Sequence, residues 1–184
     1  MPSPIAHVAA GYAVYCLFSS ISACAKAMPA LAIFAACVFF SLLPDADSVV
    51  GVLAGDMGGF HNNLSHSLAA GLVVAIIFAA LIRGAGVRDA GAWFLLSLAC
   101  YVLHVVMDYF TAGRGVMMFW PFCDTRFQSP WPLFRGVQWA MGLWTIEHIW
   151  TVLNEMVFVG ALALVLLLMR RTRHCGGTDN CLDH

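Results

Sequence analysis

His104-Val-Val-Met-Asp108 puts an imidazole and a carboxylate at i and i+4, stacked about a turn apart on one helix face. That spacing suits two ligands for one metal ion; taken alone, it serves equally well as a hydrogen-bonded pair that ties helices together. Leu43-Pro44-Asp45-Ala46-Asp47 adds two carboxylates at i and i+2, which can bridge or separately bind cations or form a solvated turn. Pro44 is expected to end regular helix there and leave a loop that aims both acids inward. His61-Asn62-Asn63-Leu64-Ser65-His66-Ser67 supplies two more imidazoles, with Ser65 as the expected helix N-cap and His66 in the first turn, where backbone N–H groups favour an anion. His7 begins an apolar run whose small residues, Ala9, Ala10 and Gly11, allow close helix approach.

The elements that must position these groups are membrane helices. The 184 residues are 61% hydrophobic and 10% charged, and a mean hydropathy of +0.84 describes a chain whose solvent is the bilayer. A crossing needs about 20 apolar residues, and five runs approach that length: residues 5 to 25, 28 to 43, 66 to 83, 90 to 110 and 151 to 169. The second is short at its Pro44 end. The first lacks a basic start and carries His7, so it reads as a retained span rather than a signal peptide. The expected fold class is therefore all-α: a multi-pass transmembrane bundle of about five spans, with a long aromatic-rich loop between spans four and five. Residues 1–169 form one membrane-embedded domain in this reading and residues 170–184 a polar tail, without a soluble domain before or after. The tail's His174-Cys175 and Cys181-x-x-His184 are a weak metal sequence, outweighed by a simple polar tail. A net charge of −1 offers nothing for nucleic acid, and the seven scattered cysteines suggest no disulfide framework.

Five spans bring His7, Asp45, Asp47, His61, His66, His104 and Asp108 to one side of the bilayer. An ionisable residue at a span end is costly enough to be read as functional. Lys26, Arg83, Arg88, Arg170, Arg171 and Arg173 fall on the other side, against Arg114, Arg126 and Arg135 on the acid-and-histidine side. The positive-inside bias then assigns the histidines to the periplasmic or extracellular face. Residues 111 to 150 hold Trp120-Pro121-Phe122, Trp131, Trp139, Trp144 and Trp150, a density that marks an interfacial belt first and a lid over the site second. As a lid, the segment would turn Arg126 or Arg135 toward a negative substrate group, and Arg114 is a further candidate to bind it. Glu147, His148 and Glu155 lie at the same end of the last span, and Glu155, the deepest, is the preferred general base.

Four histidines and three aspartates suffice for two divalent ions, with zinc first and manganese or iron as alternatives. Two metals activating a water for in-line displacement make hydrolysis the natural chemistry. His7, Asp45, His61, His66, His104 and Asp108 would bind metal, and Asp47 would bridge or orient. Neither H-E-x-x-H nor G-x-S-x-G is present to suggest a zinc protease or serine hydrolase.

The ordered set of Pro4-Ile5-Ala6-His7, Leu43-Pro44-Asp45-Ala46-Asp47, His61 through Ser67, His104-x3-Asp108 and Trp120-Pro121-Phe122 resembles the membrane-bound metal-dependent hydrolases, the YdjM-like bacterial inner-membrane family, over residues 1 to 160. The resemblance implies a multi-pass inner-membrane hydrolase with these His and Asp residues as ligands. The family usually carries H-R-x-x-T-H-S; here Asn62 and Ser65 replace its Arg and Thr, leaving Arg126 or Arg114 to compensate. A looser likeness to the zinc-dependent phospholipase C and single-strand nuclease ligand order points to phosphoesters. The leading expectation is hydrolysis of a phosphoester in a lipid or lipid-linked substrate, with membrane lipids as partners. A divalent-metal transporter or sensor and a non-catalytic membrane scaffold are the alternatives.

Overall fold

A computed structural model describes residues 2–21, 28–55, 61–137 and 146–175. Among the described residues there are six α-helices: α1 Pro4–Ile21, α2 Ala30–Leu42, α3 Ala46–Leu53, α4 Leu68–Gly84, α5 Ala90–Tyr109 and α6 Glu147–Cys175. Among the described residues there is no strand, and two isolated bridges, Thr111 with Phe134 and Val116 with Phe127, are the only ladder-type pairings. The fold is an all-α membrane bundle.

Its inside-out burial marks the solvent. Leu72, Val73, Ile76, Ile77, Val157, Leu164 and Leu167 are exposed, while His7, His66, His104, Asp108 and Glu155 are buried. Water would reverse that distribution; hydrocarbon around the helices produces it. Three helical segments among the described residues are long and apolar enough to cross a membrane: Ala30–Leu53, Ala90–Tyr109 and His148–Thr172. α4 is apolar but has 17 residues, shorter than the usual crossing.

Pro44 does not end the second helix in a loop. Leu43–Asp45 forms a 3-10 turn that leads from α2 into α3, so the short second run becomes a segment of 24 residues. Proline sits in the first positions of that turn, where its fixed φ suits helical backbone, and its missing N–H ends the α-helical pattern that runs as far as Leu43 N to Phe39 O. Ser65 is not the cap of α4 either. The helix begins at Leu68, and Ser67 caps it by accepting from Ala70 N at 3.1 Å. His66 consequently lies in a separate 3-10 turn, Leu64–His66, outside the first turn of α4.

α2 and α5 share the main core, where Ile33, Cys37 and Phe40 meet Trp93, Leu96 and Cys100. Two glycines permit the closest approaches. A Cβ on Gly11 would lie 2.6 Å from Ser41 Oγ of α2, and one on Gly71 of α4 would lie 2.8 Å from Tyr101 of α5. The small-residue start of α1 thus brings α1 against α2, as small faces do in membrane bundles. Cys24, Lys26, Trp139, Trp144 and the Cys181–His184 pair lie outside the described residues, as does the Glu147 side chain. α6 extends through Cys175, past the expected end of the span.

Candidate metal centre

Helix ends build the site. α1 contributes His7 from its first turns; the α2–α3 junction contributes Asp45 and Asp47; the segment before α4 contributes His61 and His66; the last turns of α5 contribute His104 and Asp108. All seven side chains come together, although Asp45 and Asp47 do so from within the Ala30–Leu53 segment rather than from beyond the end of a span.

Asp45, His66, His104 and Asp108 each bring one ligand atom into a common group. His66 Nε2 and His104 Nε2 are 3.2 Å apart, and Asp45 Oδ1 is 3.4 Å from both. Asp108 Oδ2 is 3.1 Å from His66 Nε2 and 3.5 Å from His104 Nε2. Bonds of about 2.0 to 2.1 Å to a tetrahedral zinc ion require ligand separations of about 3.3 Å. Five of the six tetrahedron edges are therefore in range.

The imidazoles are also presented in the correct sense. His104 Nδ1 is 2.6 Å from Ser41 O; a carbonyl only accepts, so Nδ1 carries the proton and the Nε2 lone pair faces the site. His66 Nδ1 lies 3.2 Å from Asp47 Oδ2, which orients that ring the same way. Asp47 thus acts on the outer nitrogens: its Oδ1 is 2.8 Å from His61 Nδ1 and its Oδ2 accepts from Ser65 Oγ at 2.6 Å. A carboxylate behind a ligating histidine fixes the tautomer and raises ligand basicity. Asp47, His61 and His66 also form a second group with metal-ligand spacing.

Both carboxylate oxygens of Asp45 and of Asp108 are buried without an aligned hydrogen bond, as are His7 Nδ1 and Nε2 and His61 Nε2. Buried polar atoms are ordinarily satisfied, so this concentration of orphans fits a cation at their focus. Burial opposes charge on His66, yet the close carboxylates of Asp108, Asp45 and Asp47 outweigh it and carry the pKa well above the usual imidazole range. The carboxylates draw positive charge into the site, from a proton on His66 or from a metal ion. His7 stacks on His104 with ring centroids 3.7 Å apart and faces Asp108 Oδ1 at 3.6 Å, just outside the tetrahedral group.

The two arginines lie beside the ligand loop. Arg114 Nη2 donates to His61 O at 2.6 Å. Arg126 Nη1 donates to Asn62 O at 2.8 Å, and its Nη2 donates to Asn63 Oδ1. Burial and the neighbouring Arg114 charge pull the Arg126 pKa below its ordinary value. Asn62 has a left-handed φ of 61°, a conformation asparagine tolerates better than most residues. Glu155 is fully buried but stands outside both ligand groups. Ser3 N donates to its Oε1 at 2.5 Å, and Ser3 Oγ donates to Oε2. No spacing rule announced the roles of Ser41 O or Ser3; both contacts join distant parts of the chain.

The YdjM inner membrane protein profile matches residues 1–174. The chain belongs to that family. Among curated relatives it is similar to the inner membrane protein YbcI of Escherichia coli (strain K12), with 26% identity over 182 residues, 93% of this chain and 99% of the relative. No solved structure matches. Membership in the YdjM family and the similarity to YbcI agree with the bundle in assigning a bacterial inner-membrane location.

Proposed function

We propose that this YdjM-family protein is a metal-dependent hydrolase that cleaves a phosphoester in a lipid or lipid-linked substrate at the periplasmic surface of the inner membrane. The observation that carries the reading is the near-tetrahedral set of ligand atoms from Asp45, His66, His104 and Asp108, presented by tautomer-fixed imidazoles. A mixed nitrogen and oxygen donor set suits zinc first, then manganese or iron.

Bound there, a divalent ion supplies Lewis acidity to a phosphoryl oxygen and lowers the pKa of a coordinated water. The protein's residues supply the rest. Asp47 and Ser41 O hold the His66 and His104 rings in their working orientation. His7 Nε2, Asp108 Oδ1 and His61 Nε2 surround the four-ligand group and are available for a second ion or for holding a proton at the reacting centre. Arg114 and Arg126 use some guanidinium donors on the His61 and Asn62 carbonyls and the Asn63 side-chain oxygen, and the guanidinium's remaining donors suit a phosphate. Glu155, engaged by Ser3, enters the proposal as the group that anchors the α1 start rather than as the base. The periplasmic assignment rests on the sequence alone, on the excess of Lys and Arg in the segments expected on the other side of the bilayer.

Metal analysis by mass spectrometry on detergent-purified wild type and on His104→Ala/Asp108→Ala, followed by a screen for phosphate or diacylglycerol release from lipid phosphoesters, tests the reading. Stoichiometric metal and hydrolysis in the wild type, both lost in the variant, are expected. Wild type without metal would return the chain to a scaffold. Metal with cation uptake into proteoliposomes but no hydrolysis would make it a transporter. Four protein ligands closing a tetrahedron also match a structural site; in that case metal removal would unfold the bundle, and no lipid would be hydrolysed.

A further inference from the structure

Next to the ligand cluster, the first turn of α4 and the loop that follows α5 enclose an apolar groove of about 300 Å³, lined by Leu68, Leu72, Met118, Phe119, Trp120 and Phe122. It is fastened to the site at two points. Leu68 follows His66 by two residues and its N–H donates to Met118 O at 3.0 Å. The same loop sends Arg126 back onto Asn62 and Asn63, so groove and ligand loop are held as one unit.

Phe122 is 91% exposed and Phe119 46% exposed, at the end of a bundle whose outer surface is otherwise adapted to hydrocarbon. Below the groove, exposed Leu72 and Ile76 stand at i and i+4 on α4 and continue an apolar stripe along the helix. In the loop that follows α5, Arg114 and Arg126 flank the groove residues Met118 to Phe122 in the chain and bring two cationic groups to the ligand loop. Apolar groove, cationic side chains and candidate metal ligands therefore belong to one connected unit. An anionic phospholipid joins the complementary groups, chain and phosphate.

We propose that this groove holds an acyl chain of an anionic phospholipid whose phosphate lies toward Arg114, Arg126 and the ligand cluster. That the occupant is the substrate rests on the hydrolase reading; occupancy itself does not. A larger apolar groove of about 480 Å³ between α1 and α5, lined by Leu17 and Leu95 among others, is equally apolar but is built from those two helices alone, without the loop that carries Arg114 and Arg126. It serves as the internal comparison.

The test places the full chain in phosphatidylcholine nanodiscs doped with phosphatidic acid carrying a diazirine on its acyl chain, irradiates, and maps adducts by mass spectrometry. Adducts on residues 68–72 and 118–122 are expected to exceed those at the Leu17 and Leu95 groove by about tenfold, equivalent to about 1.4 kcal/mol of preference. Unlabelled phosphatidic acid should displace them, and Leu72→Trp, which fills the groove, should reduce the ratio toward one while leaving bound metal unchanged. Equal labelling of both grooves, or labelling indifferent to Leu72→Trp, would overturn the proposal. In His104→Ala/Asp108→Ala the groove adducts are expected to persist. Selective labelling by a wild type without hydrolytic activity would defeat the hydrolase reading and leave the chain site standing; hydrolysis without selective labelling would do the reverse.

Discussion

Asp108 and Glu155 are both carboxylates buried inside a membrane bundle, and they are treated in opposite ways. Glu155 accepts from the Ser3 backbone and hydroxyl, one donor to each oxygen. Asp108 faces three imidazoles at 3.1, 3.5 and 3.6 Å, yet neither of its oxygens has an aligned hydrogen bond. Leaving a carboxylate without a partner in a low-dielectric interior costs several kcal/mol. Burial alone therefore does not mark the site. A satisfied buried acid latches two helices together, whereas an unsatisfied one among converging lone pairs asks for a cation.

The sharpest way to break this comparison is Asp108→Ala. It removes a corner of the ligand tetrahedron, so bound metal should fall to background while the chain still inserts. Chelation should lower the melting temperature of the wild type and leave that of the variant unmoved. A ligand present at a hundredfold its Kd contributes about 2.7 kcal/mol to the folded state, which thermal unfolding followed by tryptophan fluorescence resolves. If chelator shifts both proteins equally, the orphaned oxygens of Asp108 are not ligands and the contrast with Glu155 has no chemical meaning.

A smaller effect sharpens the distinction between holding the metal and holding its ligands. Asp47 touches the outer nitrogens of His61 and His66, so Asp47→Asn should weaken metal affinity by about 10- to 100-fold without abolishing binding. Competition against a calibrated chelator reads the shift. Complete loss would promote Asp47 to a primary ligand, and an unchanged affinity would detach it from the site.

The candidate ligands were legible because each leaves a local mark: His104 and Asp108 at i and i+4, the paired acids around Ala46, and two histidines in one short loop. Hydropathy located the helices because the bilayer imposes a minimum apolar length. Less legible was everything decided by a backbone atom or a distant partner. Ser41 O fixes the His104 tautomer across 63 positions, and Ser3 meets Glu155 across 152. Carbonyls have no residue-type signature, and a serine near a chain end has many uses. Pro44 misled only in part: regular α-helix does end at Leu42, as a proline without an N–H requires, but a 3-10 turn rather than a loop carries the chain on into α3. Ser65 looked like a cap because capping and hydrogen bonding to an aspartate need the same hydroxyl; Asp47 took Ser65, leaving Ser67 to cap α4.

The smallest effect belongs to the latch. Ser3→Ala deletes the hydroxyl that donates to Glu155 Oε2 but keeps the backbone N–H on Oε1, so one hydrogen bond to a buried acceptor is lost and stability should drop by about 1.5 to 3 kcal/mol. Metal content should stay stoichiometric, because neither residue belongs to a ligand group. Glu155→Gln provides the companion measurement: it preserves one carbonyl acceptor, presents an amide donor to the serine hydroxyl, and should also retain metal. Should either variant lose its metal while remaining folded, the α1 start that carries His7 would be part of the centre itself. The line between latch and site would then have to be redrawn to include His7, whose two unsatisfied nitrogens already stand at the edge of the tetrahedron.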